Sequence, residues 1–404
     1  MDLTDYEKEM MNGKFGDGAA EALRFQVALG DAFNAERMVE ISRTHLALMH
    51  LDSDRWYIAK LLEGGARCRV PSTINPIYDL DYLESVGIHD PAGEAQVLQE
   101  LNESFKKLGI ILTYSCTPEL QANVPRFGET VAFSESSTTP YVNAVCGART
   151  NRESAKSALA AAVTGRVPLY GYLLDENRRG DILVEVDAAI RDDLDYHLIG
   201  YATAKKIGSG VPVFTGIPLN TTPEQLLMFG AELATGAPVA MYHIPGLTPE
   251  APDLKTAFGG KSPKQKVKIV DDDLQKTQLA LSREEDKICF VMLGCPHYSI
   301  SQVGEVANLL DGKQIHEGIE FWVLTSSLTK ELAGRMGYLE IINKAGGHVI
   351  AGTCPDISCW HSHYSGKTGV TDSVKATYYT HLGGMGFILK RRHECVEIAI
   401  KGGF

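Results

Sequence analysis

Three cysteines stand in one kind of context: Cys116 in Tyr114-Ser-Cys-Thr-Pro118, Cys295 in Leu293-Gly-Cys-Pro-His297 and Cys354 in Gly352-Thr-Cys-Pro-Asp356. An apolar run leads into each, as a buried strand leads into the loop at its carboxyl end. Proline then turns the chain away. Free cysteine is among the most buried residue types, so three buried thiols before turns is the bland reading. Recurrence of one context favours three thiolates on one metal site, which only the fold can assemble. With no fourth ligand, a [4Fe–4S] cluster would keep one iron open to a substrate hydroxyl. Zinc on the three cysteines plus His297 is the competing arrangement. Cys359-Trp-His-Ser-His363 is a weaker candidate for a second metal site.

A second concentration of chemistry runs from Phe133-Ser-Glu-Ser-Ser-Thr-Thr139 through Asn143 to Gly147-Ala-Arg-Thr-Asn-Arg-Glu153. Small hydroxyls and guanidinium groups suit an anion, through bidentate arginine pairing and backbone amides at a helix start. Ser136, Ser137, Asn143, Arg149 and Arg152 are its candidate residues; a serine-rich cap with surface arginines is the plain alternative.

These groups must be positioned by alternating helices and short apolar strands. Thr4 with Glu7 forms a capping-box signal for a helix over residues 2–15, and two helices broken near Gly30 are expected over 19–42. A strand at 67–70, helices at 94–108, 154–163, 195–207 and 223–235, and strands at 182–187, 321–325 and 348–351 follow. That alternation predicts an α/β fold with mainly parallel sheets flanked by helices, its ligands at the strand carboxyl ends. The proline- and glycine-rich stretch 245–273 is expected to be a linker or surface excursion. The expected organisation is an N-terminal segment 1–70, an α/β lobe 71–255 with the anion-holding block, and an α/β lobe 256–404 with Cys295 and Cys354.

A chain of 404 residues with a net charge of −12 and one short lysine run, 261–268, does not offer the basic surface nucleic acid requires. No apolar stretch is long enough for a membrane helix, and the acidic N-terminus is not a signal peptide. The expected location is the cytoplasm, where eight irregularly spaced cysteines are not a disulfide framework.

Over nearly its whole length the chain resembles the aconitase X family. The motifs that carry the resemblance are Val70-Pro-Ser-Thr-Ile-Asn-Pro76, Tyr114-Ser-Cys-Thr-Pro118, Pro125-Arg-Phe-Gly128, Glu135-Ser-Ser137, Gly147 to Glu153, Leu174-Asp-Glu-Asn-Arg178 and Leu293-Gly-Cys-Pro-His297. The resemblance implies an aconitase-like, multi-lobed fold and a hydro-lyase whose iron–sulfur cluster, [4Fe–4S] or alternatively [2Fe–2S], is held at the lobe interface by Cys116, Cys295 and Cys354. It implies catalytic roles for His45, Ser136, Ser137 and Lys375, and substrate contacts from Thr73, Asn75, Asn143, Arg149 and Arg152. A small swivelling domain, expected here on a separate subunit, would bring a serine base. The implied substrate is a small 3-hydroxy acid: mevalonate 5-phosphate, or alternatively cis-3-hydroxy-L-proline. A non-catalytic, zinc- or cluster-stabilised binding protein is the alternative of another class.

Overall fold

The computed structural model describes residues 1–89, 93–283 and 287–404. Among these, the strands form four sheets, three of them wholly parallel. The first parallel sheet is small: Thr44–Leu46 lies between Ser72–Ile74 and Ala132–Phe133. The second centres on Ile182–Val186, between Pro212–Thr215 and Gln265–Ile269. A two-stranded antiparallel ribbon joins Met38–Glu40 to Arg166–Pro168.

The largest sheet has five strands in the order His348–Ala351, Glu320–Thr325, Phe290–Tyr298, Thr368–Thr371, Gly386–Leu389. The chain starts in the middle strand, winds out to one edge, then crosses back to build the other. The order therefore reverses between Phe290–Tyr298 and Thr368–Thr371, and in open parallel sheets the crevice at that switch point is where ligands bind. Cys295 and the segment Asp372 to Lys375 both lie at this crevice.

Local signals explain most elements. Thr4 and Glu7 make both bonds of the capping box that starts helix Asp5–Met11, and Ser154 caps helix Ala155–Thr164, which Gly165 ends in the left-handed conformation. Helix Glu94–Leu108 has the expected bounds. Each parallel sheet anchors an apolar core, around Leu23, Leu61 and Phe105, around Phe214, Phe229 and Tyr242, and around Val291, Phe321 and Val349.

Four local expectations change. Helix Asp17–Ala32 runs through Gly30 instead of breaking there, because Gly30 permits close approach: a Cβ would lie 2.8 Å from Pro168 Cβ. The strand expected at 67–70 is displaced to Ser72–Ile74. Thr44 N–H bonds the Pro71 carbonyl, and pairing with Thr44–Leu46 begins just beyond. Residues 265–269, inside the presumed excursion, pair with Ile182–Val186; their lysines stay in water and blunt a sheet edge. Finally, strand Phe290–Tyr298 continues through Cys295 and Pro296 instead of stopping. Gly294, at φ +99°, turns the backbone so closely past Leu324 that a Cβ would sit 2.1 Å from its carbonyl oxygen.

Candidate active site

The small sheet delivers a directed chain of hydrogen bonds at its carboxyl ends. Thr73 hydroxyl meets His45 Nδ1 at 2.8 Å, and His45 Nε2 meets Asn75 Oδ1 at 2.8 Å. Since the amide oxygen can only accept, His45 donates from Nε2, and a neutral ring would accept the Thr73 hydroxyl at Nδ1. Burial pushes its pKa down to about 4, against the opposing pull of the Asn75 bond and the Glu135 charge. Asn75 Nδ2 then donates to Glu135 Oε2. Asn123 steadies the start of the chain by donating to Thr73 Oγ1 at 2.8 Å.

Glu135 is the hub. Its Oε1 accepts from Ser136 Oγ at 2.9 Å, from Ser137 N–H at 3.2 Å and from Ser137 Oγ at 3.2 Å. It also takes Lys375 Nζ at 2.5 Å, which joins the small sheet to the large one. Burial alone would raise the Glu135 carboxyl, but Lys375 and the surrounding donors outweigh it and hold the group well below the usual carboxylate range. Burial would likewise depress the Lys375 ammonium; the Glu135 charge raises it instead. The pair is ionised.

Around this pair the three cysteine corners meet. His297 ties them together: its backbone N–H points at Cys116 Sγ, 3.3 Å away, and its Nε2 donates to the Thr353 carbonyl beside Cys354 at 2.9 Å. Ser137 Oγ reaches the Cys116 carbonyl at 3.0 Å, Asp356 N–H faces Cys354 Sγ at 3.5 Å, and Ser373 Oγ donates to the Cys295 carbonyl. Each cysteine keeps some contact with solvent. Burial pushes all three thiols up, Cys354 to about 12, while the Lys375 charge opposes that rise at each. Among the described residues no three His, Cys, Asp or Glu side chains converge tightly enough for a single metal ion. His297 Nε2, spent on Thr353, is not free to ligate zinc.

The other candidates are engaged with partners of their own. Asn143, at the far end of helix Thr138–Ala144 from Glu135, is fully buried. It is consumed by the Thr150 and Ala240 carbonyls, Thr150 N–H and Arg178. Arg149 pairs with Asp175 at 2.5 Å in a separate cleft of about 250 Å³ that Arg178, His243 and Glu250 also line. Arg152 is exposed and donates to the Ala234 carbonyl. His361 and His363 pair with Asp356 and Glu320 respectively.

Two acidic residues escaped sequence reasoning as site groups. Glu135 was legible only as part of a serine-rich motif. Glu119, three residues past Cys116, is buried with neither carboxyl oxygen bonded among the described residues, and burial pushes it well above the usual range. Only its closeness to Cys116 in sequence could have drawn attention to it.

Fold and site together define a three-lobed α/β protein in which a thiol triad and a buried Lys–Glu pair meet where sheet carboxyl ends face each other. Three family models match along the chain: Aconitase X first domain at residues 1–176, the second domain at 180–278 and the third at 288–401. The chain belongs to the aconitase X family. It is 36% identical over 380 residues to the phosphomevalonate dehydratase large subunit of Methanothermobacter thermautotrophicus, covering 92% of each chain. With the cis-3-hydroxy-L-proline dehydratase of Pseudomonas aeruginosa it shares 30% identity, over 99% of this chain and 70% of that one. The crystal structure of Thermococcus kodakaraensis aconitase X in its holo-form superposes with a TM-score of 0.88 at 32% identity, covering 99% of this chain and 100% of that one.

Proposed function

We propose that this chain is the large subunit of a cytoplasmic iron–sulfur hydro-lyase that dehydrates mevalonate 5-phosphate, its site completed by a small subunit. One observation carries the reading: three cysteines from distant segments converge beside a buried, ionised Lys375–Glu135 pair at the switch point of the large sheet. The relatives support it. Four named phosphomevalonate dehydratase large subunit share 33–36% identity with the chain over at least 92% of its length. Among the described residues no helix is long and apolar enough to cross a membrane.

The donor set fits a cluster better than a lone ion. Three thiols without a fourth ligand, backbone N–H groups aimed at two of the sulfurs, and a lysine cation alongside all favour a negatively charged sulfur assembly. Cys116, Cys295 and Cys354 would hold it. When bound, a [4Fe–4S] cluster supplies an iron with no protein ligand, a Lewis acid for the substrate hydroxyl.

The remaining steps fall to side chains. In the reaction a base takes the proton next to the substrate carboxylate, the electron pair left on that carbon forms the C2–C3 double bond as the C3–O bond breaks, and the hydroxide released takes up one proton to leave as water. Lys375 keeps N–H donors beyond its bond to Glu135 and would hold the carboxylate as negative charge grows on it. Ser136 and Ser137, fixed by Glu135, would line the same wall, and neutral His45 with Thr73 and Asn75 would hold Glu135 in register. The base is assigned to the small subunit, as in the family reading. The test is turnover: the chain assembled with its small subunit should form a double bond from mevalonate 5-phosphate. Reaction with cis-3-hydroxy-L-proline in its place would overturn the substrate assignment, and reaction with neither would overturn the proposed activity.

A further inference from the structure

We propose that Glu232 and His197, on the lobe that carries none of the three thiols, are positioning residues that fix Lys375 for the reaction. The inference rests on the role given to Lys375 above. Lys375 lies in the first turn of helix Val374–Thr380, where backbone N–H groups have no partner within the helix. Its N–H is satisfied from outside, by Glu232 Oε1 at 2.9 Å. The same oxygen receives His197 Nδ1 at 2.6 Å, and both side chains are fully buried between helices Asp193–Ile207 and Pro223–Gly236. From the other side Ser373 Oγ, which accepts the Ala376 N–H at 3.0 Å, is bound to the Cys295 carbonyl. The turn carrying Lys375 is therefore clamped between the second lobe and a thiol corner.

Stability does not account for this pair. Buried ion pairs are often replaced by apolar residues without loss, and Glu232 Oε2 is buried with no partner among the described residues, which is unfavourable. What the pair does supply is a fixed point under the one cation that touches Glu135. Misplacing a catalytic group by about 1 Å is enough to lower a rate about 100-fold.

The test uses the assembled two-subunit enzyme, with rates expressed per cluster-loaded site and melting temperature measured on the same samples. Glu232→Ala should lower kcat about 10- to 100-fold with KM within about threefold. Glu232→Gln, whose amide oxygen still accepts the Lys375 N–H, should recover most of that loss. In a Lys375→Met background, Glu232→Ala should cause no further loss. His197→Gln provides a milder variant with the same dependence on Lys375. A fall in melting temperature without a fall in kcat, or an undiminished Glu232 effect in the Lys375→Met background, would overturn the inference. Full turnover by Lys375→Met would overturn the role of Lys375 itself. Its loss alongside full activity in Glu232→Ala would overturn only the positioning pair.

Discussion

Two of the buried cations that bridge lobes, Arg392 and Lys375, are treated oppositely. Arg392, 7% exposed, is bonded at all three nitrogens: Nη2 binds Asp193 at 2.6 Å, Nη1 binds Glu305 at 2.5 Å, and Nε reaches Tyr298 Oη at 2.9 Å and Asp372 at 3.3 Å. Lys375 is as deeply placed, yet its ammonium has one hydrogen-bond partner among the described residues, Glu135. A cation bonded to acidic or phenolic oxygen at every nitrogen is a structural rivet. One held buried with donors to spare is kept for something that arrives later.

Exchanging each cation for an isosteric apolar residue should break the contrast most sharply. Lys375→Met should lower kcat/KM about 10²- to 10³-fold, the usual loss for a preorganised electrostatic group, with a smaller fall in melting temperature than at Arg392, because Glu135 keeps its bonds from Asn75, Ser136 and Ser137. Arg392→Met should do the reverse. It strands Asp193 and Asp372, a destabilisation of about 3–5 kcal/mol, visible in thermal melts, with turnover per folded molecule largely kept. Equal behaviour of the two variants would erase the distinction.

Cysteine exchange sharpens the same boundary. Cys295→Ser should abolish iron retention and activity, because its corner is joined through His297 to both others. Cys146→Ala should leave iron content unchanged, since Cys146 packs against the apolar groups of the second lobe. Equal loss in both would mean the wrong thiols had been chosen.

Acid should release the rivet. Burial would raise the Asp193 carboxyl, but Arg392 and Gln225 outweigh it and hold the pKa below its ordinary value. A depressed carboxyl contributes stability that is complete above its unfolded pKa, about 3.9, and lost as pH falls through the folded value. The melting temperature of the metal-free chain should therefore fall as pH drops below about 4, and Asp193→Asn should flatten that dependence. The smallest effect is expected at Arg149, whose partly exposed pair with Asp175 is worth under about 1 kcal/mol. Arg149→Ala should leave kcat/KM within about threefold, consistent with a group outside the thiol centre.

How much of this was legible follows from what each signal depends on. Caps are local, so Thr4 with Glu7, Ser154 and the 94–108 helix could be read from neighbouring residues. The three cysteine corners were legible as a repeated context, and the parallel α/β class from alternation. Partition of the 133–153 block was not, because helix Thr138–Ala144 carries Asn143 away from Glu135 to Ser137 and only the three-dimensional path shows it. Glu135 gains its meaning from Lys375, 240 residues away. The strand that continues through Cys295-Pro296 depends on how closely Gly294 passes Leu324, a tertiary fact. Charged residues 265–269 hid an edge strand, since lysines at a sheet edge look like a solvated loop.

The central claim is that Cys116, Cys295 and Cys354 form one cluster site beside Lys375. It is tested most directly by purifying the chain without oxygen and measuring iron and acid-labile sulfide in wild type and in the three single Cys→Ser variants. Matched iron and sulfide in the wild type, with loss in each variant, is the predicted result. Stoichiometric zinc without sulfide, or full iron and sulfide in any one of the three variants, would contradict it.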